Sequence, residues 1–237
     1  MSQTVMLDNV EHHDLRLISR PAGSLGDNIN LALVVPAEFA DVQREYPILF
    51  RQTGNGGFQA FALLGLEADE NLFLDETGWH ARYIPAIQAR GPFSIGLRSA
   101  EDRPERTIMV DTGHPRISRT EGDPLFLPHG GNAPALERVL NALRTLHAGM
   151  ATADAMFAAF QAAGLLAPVN IEIRIDEGTS YELTDFFSVS QDALARLDAA
   201  TLENLNRSGF LALAFCAIHS TGNVRRLIEL KTHRRHS

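Results

Sequence analysis

The five residues Thr53-Gly54-Asn55-Gly56-Gly57 constrain this chain more than any others. Glycine and asparagine accept positive φ at little steric cost, so such a cluster turns the backbone sharply and no helix passes through it. The apolar run Ile48-Leu49-Phe50 leads into it, closed by Arg51. Out of it runs a segment in which Phe58, Ala60, Ala62 and Leu64 alternate with Gln59, Phe61 and Leu63, up to Gly65. Both runs have strand length, so the expectation is a hairpin whose second strand is buried on both faces. Residues 71–74 predict a third strand, Asp75-Glu76-Thr77-Gly78 a turn, and residues 79–83 a fourth strand. Such a β-meander buries its aromatics on one face, and the lone Trp79 is expected to anchor it. Pro85 and Pro92 then end the ladder, because proline cannot donate to it, with room for one helical turn between them. Residues 93–97 and 107–110 predict further strands.

The remaining segments approach this unit or cover it. Leu15, Leu17 and Ile18 suggest an edge strand, and residues 31–35 a buried strand stopped by Pro36, which opens a short helix. Residues 98–134 carry Pro104, Pro115, Pro124, Pro128 and Pro134 and read as a long loop around one short strand at 107–111. A loop of that length is either functional or a sign of misassigned elements. Leu136, Val139, Leu140, Leu143 and Leu146 form one stripe of an amphipathic helix that Gly149 is expected to end. Thr152 is expected to cap a second helix stopped by Gly164. Val169, Ile171, Ile173 and Ile175 alternate with polar residues, Asp176-Glu177-Gly178 turns, and residues 180–187 return as the partner strand. Ser190 caps a short helix, residues 201–220 form one or two helices with Gly209 as the break, and Asn223 caps a last one. The fold class is therefore α+β: an antiparallel β-meander core in the N-terminal half, with a helical C-terminal part containing one β-hairpin. Residues 1–130 form the β-rich part and residues 131–237 the helical part, together expected to make one compact domain.

A formal net charge of −8 argues against a general nucleic-acid binder. One Cys permits no internal disulfide, and the first 14 residues carry neither a positive n-region nor an apolar h-region. Both point to a cytoplasmic protein. No apolar stretch reaches the ~20 residues of a membrane helix.

The chemistry-bearing residues form no recognisable catalytic set. No nucleophile elbow, phosphate-binding glycine loop, zinc-protease pair or dinucleotide fingerprint occurs. His12-x-Asp14 has the spacing of two near ligands of a non-haem iron site, with His114, His129 or His219 as a distal ligand. The plain alternative is a polar N-terminal turn, and neither metal nor cofactor is expected. Cys216 and His219 share a helical face, but Cys216 lies in an apolar run that suits an inert thiol. Glu67, Asp69, Glu70, Asp75 and Glu76 make an acidic patch that suits solvated loops blunting an edge. Arg225, Arg226, Lys231, Arg234 and Arg235 make a basic tail that suits a fraying C-terminal helix or an anionic partner. Leu125, Phe126 and Leu127 lie beside His129, and three adjacent apolar side chains favour docking over exposure. They are expected to fold back beside residues 83–93 as one wall of a groove, with Arg90 and His129 at its rim.

Several stretches in order resemble one family. Tyr46-Pro47-Ile48-Leu49-Phe50, Ala62-Leu63-Leu64-Gly65-Leu66, Asn71-Leu72-Phe73, Gly78-Trp79, Tyr83-Ile84-Pro85-Ala86 and Pro92-Phe93 are similar to the SapC family, named for a surface-layer array protein. Val35-Pro36-Ala37-Glu38-Phe39, His12-His13-Asp14-Leu15-Arg16 and residues 202–213 with Ser220 extend the likeness over most of the chain. One departure is Gly91, which stands where the family pattern Arg-x-Tyr-Pro-Phe has its Tyr. The resemblance implies no established catalytic residues. It implies an association with flavin-dependent tryptophan halogenases, cupin-like proteins and TonB-dependent receptors. The expected function is a non-catalytic binding or accessory protein that takes a protein, a peptide or a small ligand, with Trp79, Tyr83, Arg90, Phe126 and His129 as ligand-binding residues. The rivals are a non-haem metal-dependent oxygenase-like enzyme and a structural component of a surface layer.

Overall fold

Thr53 N–H donates to Gly57 O at 2.8 Å, and Gly56, with φ 82°, donates to Thr53 O at 2.9 Å. The turn thus closes the hairpin expected of it. The computed structural model describes residues 3–54, 56–99, 104–176 and 178–236. Asn55 and Glu177, each assigned above to a turn, and residues 100–103 of the long loop lie outside the described residues.

The chain runs through β1 (Thr4–Met6), β2 (Arg16–Leu17), β3 (Leu31–Val34), a 3-10 turn at Pro36–Glu38, α1 (Phe39–Val42), β4 (Ile48–Gln52), β5 (Phe58–Leu63), β6 (Leu74–Asp75) and β7 (Gly78–Trp79). It continues with α2 (Ala86–Ala89), β8 (Phe93–Ser99), β9 (Pro104–Asp111), β10 (Ile117–Ser118), β11 (Asp123–Pro124) and the long α3 (Pro134–Ala162). The hairpin β12 (Leu166–Asp176) and β13 (Thr179–Val189) precedes α4 (Gln191–Ala195), α5 (Ala199–Arg207), α6 (Phe210–Ser220) and α7 (Val224–His236). Helices and antiparallel sheets make an α+β fold whose strands lie mostly in the N-terminal half, with helices towards the C-terminus. The central sheet has the order β12-β13-β4-β5-β3, so strands from both parts of the chain share it. Phe187 faces Phe50 across the β13–β4 join, and Phe157 of α3 packs edge-on against Phe50 at 5.1 Å.

The meander ends after two strands. Residues 71–74 and 79–83 do not extend the sheet, because β3 already occupies the outer side of β5 with Ala32 opposite Ala62. The chain instead doubles back immediately after β5. A Cβ on Gly65 would lie closer than 3.0 Å to the Glu70 carbonyl, so only glycine permits that crossing. The fully buried Asn71 holds the return, donating to Asp27 O at 2.9 Å and accepting from Phe73 N–H at 3.0 Å. What remains of the third and fourth strands is the separate two-residue pair β6–β7.

Two helices expected across 135–163 are one. Gly149 does not stop α3; it lets α3 touch the chain before the 3-10 turn, where a Cβ would come within 3.0 Å of Val35 Cβ and Cγ2. Thr152 is not a cap, since its hydroxyl donates back to Ala148 O at 3.3 Å within the helix. Ser190 does cap α4, accepting from Ala193 N–H at 3.2 Å, and Gly209, at φ 77°, does separate α5 from α6.

The long loop is more ordered than expected. β9 pairs along β8, while β10 and β11 both pair with β2, which is therefore a central strand and not an edge. Leu125 is fully buried in a second core with Leu15, Leu17, Phe93, Val110, Leu136, Val139 and Leu143. Among the described residues, no helix is long and apolar enough to cross a membrane.

Candidate functional site

The acidic loop and the basic C-terminal helix meet at Lys231, and the same docking of α7 carries Arg226 to Glu45. Lys231, 5 % exposed, donates to Glu67 at 2.8 Å and Glu70 at 2.6 Å and lies over the Tyr181 ring. Burial alone pulls its ammonium down, but the hydrogen bonds to Glu67, Glu70 and Tyr181 outweigh that and raise it above the ordinary lysine range. Arg234 donates to the carbonyls of Asn71 and Leu74 at the entry to β6. Arg226 pairs with Glu45 and stacks over Phe73, 5.2 Å from the ring centre. Lys231 thus joins the two charged stretches, while Arg226 and Arg235 pair with Glu45 and Asp176 outside the acidic patch, and together these contacts hold α7 down.

Behind this contact runs a chain of hydrogen bonds from core to surface. Glu38, 1 % exposed, accepts from Val35 N–H at 2.9 Å, Ala86 N–H at 2.7 Å and the Tyr83 hydroxyl at 2.9 Å. Tyr46, fully buried, donates its hydroxyl to the Tyr83 carbonyl at 2.5 Å and accepts the Trp79 indole N–H at 2.8 Å. Burial raises both phenols far above the ordinary tyrosine value, so they stay neutral donors. It also pushes the Glu38 carboxyl up, against the three donors that pull it down. The fixed tyrosines leave Trp79 one orientation, with its indole half-buried at the surface.

Trp79 forms part of a shallow depression of about 750 Å³ with Arg44, Glu45, His80, Ala81, Arg82 and Arg226. Arg44 pairs with Asp41 at 3.3 Å and His80 with Asp75 at 2.7 Å. Hydrogen bonds from Thr77 and then His80 hold the Asp75 carboxyl well below the usual range. Arg82 is exposed, and among the described residues no carboxylate pairs with it. Three guanidiniums surround the indole, and two of them, Arg44 and Arg226, are paired with the carboxylates of Asp41 and Glu45. An unpaired guanidinium beside an indole face has the chemistry to take an anion next to a flat group.

Of the five residues expected to bind a ligand, Trp79 and Tyr83 come together, while Arg90, Phe126 and His129 lie apart from them. Trp79 and Tyr83 are joined through Tyr46. Arg90 is turned to the start of β8, donating to Phe93 O at 2.6 Å, and burial lowers its pKa. Phe126 is half-buried in a different groove with Leu7, Ile108, Leu136 and Leu140, and His129 is exposed on the loop beyond it. Of the apolar trio only Leu125 is fully buried, while Leu127 is 47 % exposed.

The other candidates are engaged elsewhere. His12 Nδ1 accepts from Asp8 N–H at 3.0 Å, and Asp14 pairs with Arg119. Among the described residues no group of three His, Cys, Asp or Glu side chains is placed to hold a metal ion. Burial pushes the half-buried Cys216 thiol up, away from a reactive thiolate, and the ring of His219 packs beside Phe215 at 6.0 Å.

Arg44, Glu45, His80, Arg82 and Arg226 were missed from sequence. Trp79-His80-Ala81-Arg82 is adjacent and carried a signal, an exposed Arg and His flanking the only Trp. Arg226 carried a signal only as part of the basic tail that suits an anionic partner, and its place beside Trp79 depends on the docking of α7.

A family model described as SapC matches residues 7–227, a span that takes in every residue lining the Trp79 depression. No match is found among curated proteins or among solved structures.

Proposed function

The chain belongs to the SapC family, and on that footing we propose that it is a non-catalytic binding protein that takes an anionic ligand with a flat apolar part at the Trp79 depression. One observation carries this reading: among the described residues Arg82 has no carboxylate partner, and it lines the same depression as an indole held by Tyr46. The guanidinium supplies a charge-assisted bidentate contact to a carboxylate or phosphate, and the indole face a stacking surface. Arg44 and Arg226, already compensated by Asp41 and Glu45, frame the spot. An accessory role beside flavin-dependent halogenases and TonB-dependent uptake systems belongs to the same proposal.

Trp79 is the only tryptophan, so its emission reports on the site directly. A panel of aromatic carboxylates and phosphates should change it saturably for at least one member, whereas the matching uncharged alcohols should not. Arg82→Ala should weaken that binding about ten-fold or more, the equivalent of about 1.4 kcal/mol for one charge-assisted contact. No saturable response from any anion, or an equal response to the alcohols, would contradict the proposal.

A further inference from the structure

A cavity of about 170 Å³ lies where β2, α2 and the first turns of α3 meet, and it shares no lining residue with the Trp79 depression. Leu17, Ile84, Ala135 and Val139 give it apolar walls. Two charged side chains line it as well, the ion-paired Asp27 and Arg116, only 4 % and 8 % exposed. Gly91 keeps the space open: a Cβ there would sit 3.7 Å from Arg116 Cδ, so a longer side chain would crowd the Arg116 stem.

The ion pair has bonding capacity left over. Arg116 donates from Nη1 to the carbonyls of Ile18 and Arg20, at 3.0 and 3.3 Å, and from Nη2 to Asp27 Oδ2. The same Oδ2 accepts from Ala22 N–H at 2.7 Å. Among the described residues nothing bonds Asp27 Oδ1 or Arg116 Nε. Neither atom is sealed in, since Ser188 Oγ is the one buried side-chain atom left without a partner among the described residues. Both therefore border open space, and the cavity is the space that both residues line. A free acceptor and a free donor thus stand side by side, bridged by the Nη2–Oδ2 contact.

We propose that this cavity binds a neutral one-ring molecule carrying a primary carboxamide or a lactam. Size sets the single ring: a cavity of about 150 Å³ takes up benzene, so this one admits a ring and one small substituent. Charge balance sets the neutrality. Arg116 is matched by Asp27, and Arg138, which also lines the cavity, by Asp123 at 3.1 Å. A charged ligand would be enclosed there without a counter-ion. Hydrogen bonding sets the functional group. A primary carboxamide or a lactam carries a C=O and an N–H on one edge, the complement of the Arg116 N–H and Asp27 Oδ1. The cavity therefore selects against the anions that suit the Trp79 depression, and the two sites are independent.

Benzamide titrated into the full chain, up to its solubility limit and followed by protein NMR, tests this. Saturable shifts are expected at the Arg116 Nε–H and the Gly91 amide, with the Trp79 indole N–H unmoved. Benzoate, benzamidine and ethylbenzene are similar in size and should bind about ten-fold or more weaker, since each encloses a charge or leaves the polar edge unmatched. Gly91→Asn puts a side chain into the space at a residue type that tolerates the φ of 54°, and should abolish the response in a folded protein. Ile84→Phe fills the cavity from a partly exposed wall residue and serves if the first variant does not fold. The proposal is overturned if benzamide gives no saturable response, if its shifts are confined to Trp79, or if benzoate or ethylbenzene binds equally well. A response that survives in a folded, cavity-filled variant overturns it too.

Discussion

Gly149→Ala separates the two roles that glycine plays in this protein. In an unconstrained helix interior the change stabilises by about 1 kcal/mol, since glycine is the poorer helix former by that amount. Here the new methyl would fall within 3.0 Å of both Val35 Cβ and Cγ2, where ordinary contact is 3.4–4 Å. Val35 is buried, and its Cβ is fixed to the backbone, so no rotamer change relieves the overlap. α3 and the segment entering the Pro36–Glu38 turn must part by several tenths of an ångström or more. Overpacking of this kind costs about 1–3 kcal/mol, with the tight overlap placing it at the upper end. The net expectation is a loss of about 1–2 kcal/mol, or roughly 2–8 °C in Tm for a chain of this size. Val35 N–H also donates to Glu38, which holds Tyr83, so the shift should reach Trp79 and move its emission. Thr152→Ala, three residues on and exposed, is the control. In a continuous helix it should gain up to about 0.7 kcal/mol; at an N-cap it would lose about 1. Urea unfolding followed by circular dichroism and by Trp79 fluorescence measures both variants. A Gly149→Ala protein more stable than the parent, or a Thr152→Ala protein destabilised like a lost cap, would refute the reasoning.

Tyr46→Phe leaves the Trp79 N–H and the Tyr83 carbonyl without their buried partner and should cost about 1–3 kcal/mol, with altered Trp79 emission in the folded state; unchanged stability and emission would show that the tyrosine does not orient the indole. Lys231→Met should cost about 1–3 kcal/mol, less than a fully buried pair because the Glu67 side chain is 54 % exposed. The pair also sets a pH window. Its hydrogen bond to Lys231 first of all lowers the Glu67 pKa, so that contribution is present above the ordinary carboxylate range near ~4.3 and is lost as pH falls through the lowered value. The Lys231 pKa is raised, so its contribution is full below ~10.4 and is lost as pH rises through the raised value. Chemical denaturation at pH 3, 7 and 10 should show the penalty of Lys231→Met greatest at about pH 7 and smaller in acid; a pH-independent penalty would mean that packing alone is lost.

Elements whose cause lies within a few residues were legible in the sequence. The Thr53–Gly57 turn and its two flanking strands, the β12–β13 alternation, the Ser190 cap and the break at Gly209 all follow from local backbone preference and a period of two. Gly149 was misread because glycine carries one letter for two physical demands, a left-handed stop and a close approach, and only the position of Val35 tells them apart. The third strand of the meander failed for a related reason: Leu72, Phe73 and Leu74 are apolar enough for a strand, but β3 had the better place beside β5. At the candidate site, sequence singled out Trp79 and Tyr83 from their size and turn-flanked setting. It put Arg90, Phe126 and His129 with them on an assumption of economy in burial, which Leu125 alone satisfies fully. Glu67 and Lys231 lie 164 residues apart, and each charged stretch was complete as a solvated surface until the other arrived. Sequence by itself therefore determined the Thr53–Gly57 turn, the Ser190 cap, the two hairpins and the family. The tertiary structure decided which charges neutralise one another and which guanidinium remains unpaired beside the indole, because Coulomb pairing and steric fit act through space and leave no period along the chain.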